Sequence, residues 1–234
     1  MDLVGVVLAG LSIALVLAVS QFLYSSARVD SFTARKIVHV AVAHWWLLAM
    51  FFHDSAAWAS VGPAFFIIFN AVNHQVRVVT ATETEATRAN WGTVYYPVAL
   101  LILVWLSFAG PMPQAAAAVG VLSLGWGDGL APLGGRLLPV AKMKLFGNTK
   151  TIGGTLTVLL ASAIVGLAVS LLYLTVEGPL LLADAEPRVW LAVTLGPALV
   201  AAVLELFTPF GLDNLTVPLG VSAAYWGIVG LLAG

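Results

Sequence analysis

Apolar segments of helical length follow one another along the whole chain, separated by short polar linkers. A helix needs about 20 apolar residues to cross the hydrocarbon core of a bilayer, with a range of about 17–25. Eight segments reach or approach that length, and the last is the shortest: 3–23, 37–52, 56–72, 93–108, 115–133, 152–174, 189–207 and 219–232. The pattern predicts an all-α fold, a polytopic transmembrane helical bundle of about eight spans. No internal repeat is visible, so we expect a single integral membrane domain over residues 1–234.

Composition supports the membrane interpretation. Hydrophobic residues make up 61% of the chain and charged residues 9%, whereas a soluble domain carries about 25% charged residues. The formal net charge of −1 and the lack of a long basic face argue against a nucleic-acid partner. The absence of cysteine excludes disulfides and thiolate metal sites. No basic residues precede the first apolar segment, so we expect a retained span and not a cleaved signal peptide.

The distribution of lysine and arginine predicts the orientation. Linkers on the cytoplasmic side carry an excess of both residues. With both termini on the outer side, Arg188 alone lies outside, and the other nine lie inside: Arg28, Arg35, Lys36, Arg77, Arg88, Arg136, Lys142, Lys144 and Lys150. We therefore predict a cell-membrane protein whose basic loop, residues 134–151, faces the cytoplasm, where nucleotides are found.

Asp128 lies inside an otherwise apolar segment and has glycine on both sides. An ionisable residue at membrane depth is expensive to bury, which makes it a candidate functional residue. The neighbouring glycines Gly125, Gly127 and Gly129 let a backbone approach a ligand closely. Alternatively, they only allow tight helix packing, as small residues do in membranes.

A basic loop and a threonine- and glycine-rich helix start follow Asp128. Backbone N–H groups at such a start favour phosphate. Lys150 stands directly before this start and is a candidate catalytic residue. The predicted phosphate-binding residues are Arg136, Lys142, Lys144, Thr149, Thr151, Gly153, Gly154 and Thr155. The Walker pattern is absent because the lysine precedes the glycines.

Three further polar clusters are predicted on the same side of the membrane. They are Arg35, Lys36 and His39; Asn73 and Asn90; and Glu205 with Asp213 and Asn214. Mg²⁺ prefers one or two carboxylates with phosphate oxygens and water, so Asp128, Glu205 and Asp213 are candidate metal ligands. Alternatively, Arg35 and Lys36 anchor the span to lipid headgroups, and Asp213-Asn214 forms a turn before Pro218.

Four motifs in order resemble the polyprenol kinase family, which contains dolichol kinase, phytol kinase, farnesol kinase and the CTP-dependent diacylglycerol kinase. They are Arg35-Lys36-x-x-His39, Gly127-Asp128-Gly129 with Gly134-Gly135-Arg136, Lys150-Thr151 with Gly154-Thr155, and Glu205 with Asp213-Asn214-Leu215-Thr216-Val217-Pro218. The last segment looks most like the phytol or farnesol kinase branch. Many members of the family carry Glu at the position of Gly153. Since this chain lacks that carboxylate, Glu205 and Asp213 become more important as candidate site residues.

The resemblance implies a membrane kinase that transfers the γ-phosphate of CTP, or of another nucleoside triphosphate, to the hydroxyl of an isoprenoid alcohol with Mg²⁺. Asp128 would then hold the metal or polarise the hydroxyl, and Lys150 and Thr151 would bind the triphosphate. Asp213 and Asn214 would complete the metal and nucleotide site. The alcohol's tail would lie among the apolar spans, in contact with membrane lipids.

Two other functions use similar features. A CTP-dependent phospholipid cytidylyltransferase would need the same nucleotide and metal. A small secondary transporter would also have spans broken by glycine and proline with ionisable residues at depth.

Overall fold

A computed structural model describes residues 1–76, 91–138, 140–146, 148–176 and 186–233. Within these ranges, seven helical segments are long and apolar enough to cross a membrane. The prediction of an all-α polytopic bundle is therefore confirmed. The orientation of the termini stays a prediction.

The elements follow the predicted segments closely. The helices are α1 (Asp2–Ser25), α2 (Ser31–Ala43), α3 (Trp45–Phe52), α4 (Ala56–Ala59), α5 (Val61–Val76), α6 (Gly92–Val104) with a π-helical turn (Trp105–Ala109), α7 (Gln114–Leu137), α8 (Ile152–Val176), α9 (Pro187–Phe207) and α10 (Asp213–Ala233). Two short strands, β1 (Lys142–Leu145) and β2 (Asn148–Thr151), lie between α7 and α8. The last span is longer than predicted because its helix begins at Asp213.

The second predicted span is not one continuous helix. It divides at His44 into α2 and α3, and neither is long enough to cross a membrane alone. The His44 imidazole nitrogen Nδ1 lies 2.9 Å from Val40 O, the carbonyl that the His44 N–H would bind in an unbroken helix. The backbone N–H of His44 bonds instead to Ala41 O, at 3.1 Å. Local side-chain competition of this kind interrupts a helix ladder.

The chain divides into two compact units. The first contains Met1–Pro111 with Phe210–Leu215, and the second contains Met112–Pro209 with Thr216–Gly234. The interpretation of the chain as a single integral membrane domain stays a prediction.

In the first unit, α1 packs on α2 and α3. Trp46 on α3 is fully buried and makes an edge-to-face contact with Phe108, with ring centroids 6.2 Å apart. This arrangement is a favourable one for aromatic pairs. The side chain of Trp46 thus ties α3 to the π-helical turn that ends α6.

In the second unit, α7 is the central helix. All residues from Ala115 to Gly125 are buried, and α8 and α9 pack against it. Gly120 faces the carbonyl of Pro218 on α10 so closely that no Cβ would fit between the two helices. Small residues therefore allow the backbones around α7 to approach closely, as is common in membrane bundles.

The predicted basic loop contains a β-hairpin. β1 and β2 pair antiparallel, with Lys142 opposite Thr151, Met143 opposite Lys150, and Lys144 opposite Thr149. Residues directly opposite each other share a face of the hairpin, and successive residues alternate between faces. Lys142 and Lys144 therefore lie on the face opposite to that of Lys150.

Candidate active site

Two predicted site residues that are 55 positions apart meet in the second unit. The Lys150 ammonium forms an ion pair with the Glu205 carboxylate through Oε1, and it also donates to the main-chain oxygen of Glu205 at 3.1 Å. The Glu205 side chain is 6% exposed and that of Lys150 is 21% exposed. A buried carboxylate is stable when it is paired and hydrogen-bonded in this way.

Helix ends explain why this lysine and this glutamate come together. α9 packs along α8, and Glu205 lies in the last turn of α9. The last four carbonyls of a helix have no partner within the helix, and a cation near them also interacts favourably with the helix dipole. Lys150 therefore caps the carboxyl-terminal end of α9 in addition to neutralising Glu205.

The start of α8 is fixed by threonine side chains. Thr151 Oγ1 accepts a hydrogen bond from the N–H of Gly154 at 3.0 Å, which is the bond that an N-cap residue makes. Thr155 Oγ1 donates to Thr151 O at 3.3 Å, and Thr157 Oγ1 donates to Gly153 O at 2.8 Å. The Gly154 N–H is thus already bonded within the protein.

The glycines of this helix start pack against α7. A Cβ on Gly153 would lie 2.5 Å from Leu138 O and 2.6 Å from Gly134 O, and a Cβ on Gly134 would overlap Thr157 Oγ1. This crowding leaves no room for a side chain at position 153 in this packing. Contact of Gly153 and Gly154 with phosphate stays a prediction.

Sequence reasoning missed the part that Gly134 and Thr157 play in joining α7 to α8. A signal existed, because Gly127 and Gly134 are seven residues apart and so lie on the same face of a helix. Gly127 faces Val158, whose Cγ1 would be 3.2 Å from an added Cβ. For Gly127, the alternative of close helix packing is therefore what the structure shows.

Asp128 is half-buried on α7, next to the face that packs on α8. It lies seven residues before Gly135, and two helical turns separate them by about 10 Å along one face. Gly135 in turn faces Thr151, since a Cβ on it would lie 2.5 Å from Thr151 Oγ1. Asp128 is therefore about two turns along α7 from the helix start that carries Thr151.

The other predicted cations of the loop lie on the protein surface. Lys142, Lys144 and Thr149 are exposed on one face of the hairpin, and Arg136 is exposed in the last turn of α7. The described structure does not bring Lys142 or Lys144 together with Lys150, because the strand register turns them to the other face. Their binding to phosphate stays a prediction.

In the first unit, the Arg35, Lys36 and His39 cluster lies on α2. The cationic groups of Arg35 and Lys36 lie 5.5 and 5.9 Å from the centre of the Phe32 ring. The His39 ring lies 5.8 Å from that of Tyr96. These contacts hold the cluster locally, and its part in a substrate site stays a prediction.

Of the two asparagines predicted as a cluster, Asn73 lies in the last turn of α5. Asn73 is half-buried on α5. One turn earlier, Asn70 Nδ2 donates to Thr93 O at 2.7 Å and so joins α5 to α6. Asn90 lies outside the described residues.

Asp213 and Asn214 begin α10 and belong to the first unit. Phe210 and Gly211 both have positive φ, at 59° and 77°, and Asn214 Nδ2 donates to Gly211 O at 3.2 Å. Asp213 Oδ1 accepts from the backbone N–H of Asn214 at 3.1 Å. The Asn214 side chain thus ties the start of α10 to the turn of residues 210–212 that precedes it. Pro218 lies inside the same helix, so Asp213-Asn214 do not form a turn before it, and the metal role of Asp213 stays a prediction.

The described residues contain no group of three or more histidine, cysteine, aspartate or glutamate side chains arranged to hold a metal ion. Mg²⁺ bound with a nucleotide needs fewer protein ligands, because phosphate oxygens and water complete its shell. Asp128, a half-buried carboxylate about two turns along α7 from the start of α8, is a candidate for that coordination. Glu205 fits it less well, since its Oε1 is bound to the Lys150 ammonium.

These observations define an integral membrane protein in which a partly exposed lysine pairs with a buried glutamate beside a glycine-packed helix start. Over 192 residues the chain is 31% identical to a phytol kinase from Synechocystis sp. (strain ATCC 27184 / PCC 6803 / Kazusa), covering 82% of this chain and 77% of that protein. The chain belongs to the polyprenol kinase family, which includes the phytol kinases. No family model matches it. No solved structure matches it either.

Proposed function

We propose that this protein is a lipid-alcohol kinase that transfers the γ-phosphate of CTP, or of another nucleoside triphosphate, to the hydroxyl of an isoprenoid alcohol such as phytol, farnesol or a polyprenol. The observation that carries the proposal is the 31% identity to a phytol kinase over 82% of the chain. In this reaction the alcohol oxygen attacks the γ-phosphorus. The bond from that phosphorus to the β–γ bridging oxygen breaks, the nucleoside diphosphate leaves, and the hydroxyl proton is released to water.

Lys150 is the residue we assign to the transferring phosphate. Phosphoryl transfer depends mainly on positioning and on stabilisation of negative charge. A lysine ammonium has three donors, and two of those of Lys150 are directed at Glu205. The third donor and the 21% exposure of the side chain leave room for one bond to a phosphate oxygen.

Asp128 is the carboxylate we assign to the hydroxyl or to Mg²⁺. When bound, Mg²⁺ would supply charge neutralisation for the phosphate oxygens. Asp128 supports the proposal because it is half-buried, about two turns along α7 from the level of Thr151. A carboxylate there would orient the attacking oxygen by accepting its proton in a hydrogen bond.

The setting we propose is the cell membrane, with the site facing the cytoplasm and the alcohol's tail among the apolar helices. The distribution of lysine and arginine supports this orientation. Large apolar side chains are exposed on most of the long helices, for example Leu15, Ile68 and Ile164. An alcohol dissolved in the bilayer would meet such a surface directly.

The test is transfer of label from a nucleotide to a lipid. Purified protein in lipid nanodiscs is given Mg²⁺, CTP labelled at the γ position and phytol, farnesol or a polyprenol. We expect label in an organic-extractable monophosphate, together with CDP. Label that reaches a lipid only from the α position, with release of pyrophosphate, would show a cytidylyltransferase instead. Absence of transfer from CTP, ATP and UTP to any of the alcohols would overturn the proposal.

A further inference from the structure

The contact between Lys150 and Glu205 indicates that the two side chains have different roles, which the sequence does not show. We propose that Glu205 is a positioning residue that aims the Lys150 ammonium at the nucleotide phosphates, and that it is not a metal ligand. This inference rests on the proposed function, because it assigns a role within that same site. It replaces the sequence-based prediction that Glu205 holds the metal.

Two hydrogen bonds hold the Lys150 ammonium in place. Lys150 lies on a short β-hairpin, and lysine has a long flexible stem that points freely when it is unpaired. Here its nitrogen is bound at two points of one residue, the Oε1 and the main-chain oxygen of Glu205. Both points belong to the last turn of α9, a helix of 21 residues. The ammonium is therefore fixed to a rigid element and not to the hairpin alone.

The charges at this contact argue against a metal ion on Glu205. The carboxylate of Glu205 is almost fully buried and faces an ammonium. A divalent cation bound to the same carboxylate would lie beside that ammonium, and like charges at such short range repel strongly away from bulk water. Within the described residues, no cluster of acidic or histidine side chains compensates for this repulsion. The carboxylate is better suited to holding Lys150 than to holding Mg²⁺.

The number of hydrogen-bond donors on the Lys150 ammonium leaves one proton for a phosphate oxygen. Two of the three ammonium protons are directed at Glu205, so the remaining one has a defined direction. A donor held in place before the substrate arrives needs no reorganisation during the reaction. Loss of the carboxylate should therefore reduce phosphate binding and transfer without changing the affinity for Mg²⁺.

The first experiment compares E205Q with the wild-type protein at varied Mg²⁺ and CTP. The amide keeps the size of the side chain and removes its charge. We expect kcat/KM for CTP to fall about 100-fold, as misplacement of a catalytic group by about 1 Å does, while the Mg²⁺ concentration at half-saturation stays within about twofold. A rise of about tenfold or more in that concentration would show a metal ligand and overturn the proposal.

The matched control is E186Q. Glu186 stands at the other end of α9 and pairs with Arg188 at 2.7 Å, with both side chains largely exposed. The same change of glutamate to glutamine, directly before the first residue of that helix, should leave all of these quantities unchanged, because exposed pairs contribute little.

The second experiment is a double-mutant cycle of K150M and E205Q, read by direct binding of fluorescent CTP without any alcohol. If Glu205 acts through Lys150, E205Q has no further effect on affinity in the K150M background, within about twofold. A metal ligand would weaken binding in both backgrounds. If E205Q alone fails to assemble because it leaves the lysine charge unpaired, the double variant still assembles and supplies the comparison.

The readouts separate this inference from the proposed function. A wild-type protein that binds CTP but transfers no γ label would refute the kinase assignment alone, and the binding cycle would still decide the role of Glu205. If E205Q lowers the affinity for CTP equally in the wild-type and K150M backgrounds, only the positioning role is refuted. A wild-type protein that binds no nucleoside triphosphate would overturn both.

Discussion

At the scale of single residues, Lys150 and Glu205 show how one contact serves both folding and chemistry. The ion pair neutralises a buried carboxylate, and the bond to the main-chain oxygen satisfies a carbonyl at the end of α9. Removal of one partner of a buried pair typically costs about 3–5 kcal/mol. Because the lysine is one-fifth exposed, solvent screening should reduce that cost for this pair.

The residue-scale prediction concerns Asp128. Asp128→Asn keeps the size of the side chain and removes its charge, and a neutral group is cheaper to bury. We expect the variant to assemble with an unchanged melting temperature and to transfer γ label about 100-fold more slowly. Label transfer and thermal unfolding in the same detergent measure the two effects. Wild-type activity in Asp128→Asn would contradict the assigned role, and loss of folding would indicate a structural one.

At the scale of elements, the junction of α7 and α8 is the feature on which the site depends. Gly134 and Gly153 bring the two helices together, and the N-cap at Thr151 sets where α8 begins. The hairpin between the helices then holds Lys150 at the end of α9. A change that separates α7 from α8 should therefore disturb the site without altering any charged residue.

The first element-scale prediction tests that junction with Gly153→Ala. The added methyl group would lie 2.5 Å from Leu138 O, and overpacking of this kind costs about 1–3 kcal/mol. We expect a lower melting temperature and slower label transfer. Gly227→Ala on α10 is the control, because its added methyl group meets nothing within 4 Å. Equal melting temperatures for Gly153→Ala and the wild type would refute the close packing.

The second element-scale prediction uses the two faces of the hairpin. Lys142 and Lys144 are exposed on the face opposite to that of Lys150. Replacing both with alanine removes only long-range attraction of the nucleotide, which salt screens. We expect a loss of about tenfold or less in kcat/KM for CTP at low salt, and a smaller loss at 0.5 M salt. A larger loss than that of Lys150→Met would mean that the outer face binds the phosphates.

At the scale of the whole molecule, seven helical segments of membrane-spanning length account for most of the described residues. The bilayer requires every backbone polar group at depth to be satisfied within the protein, which helices achieve. The described hairpin carries Lys142, Lys144 and Lys150 and follows Arg136 at the end of α7. The excess of lysine and arginine on one set of linkers predicts that this hairpin faces the cytoplasm.

The whole-molecule prediction tests that orientation by cysteine labelling. The chain has no cysteine, so a single introduced one gives a clean background. Thr149→Cys, on an exposed hairpin position, should react with an impermeant maleimide only after the cell membrane is opened. The Arg188 side chain is 79% exposed, so Arg188→Cys should react in intact cells. The reverse pattern would invert the proposed orientation.

The sequence alone determined the helical segments and the residues that carry the family motifs. Hydropathy is a sum over neighbouring residues, so a run of apolar positions locates a span without knowledge of its partners. The run from 152 to 174 agrees with α8 to within two residues at its end. The family was likewise readable from motifs, each of which lies within a short stretch of chain, as the similarity to a phytol kinase confirmed.

Only the tertiary structure decided how those residues are used. The break at His44 depends on one imidazole that competes for a carbonyl, and the opposed faces of Lys142 and Lys150 depend on strand register. The pairing of Lys150 with Glu205 joins positions 55 residues apart. No local pattern specifies such a contact, because it forms only when glycines let α7 and α8 pack closely and α9 ends beside the hairpin.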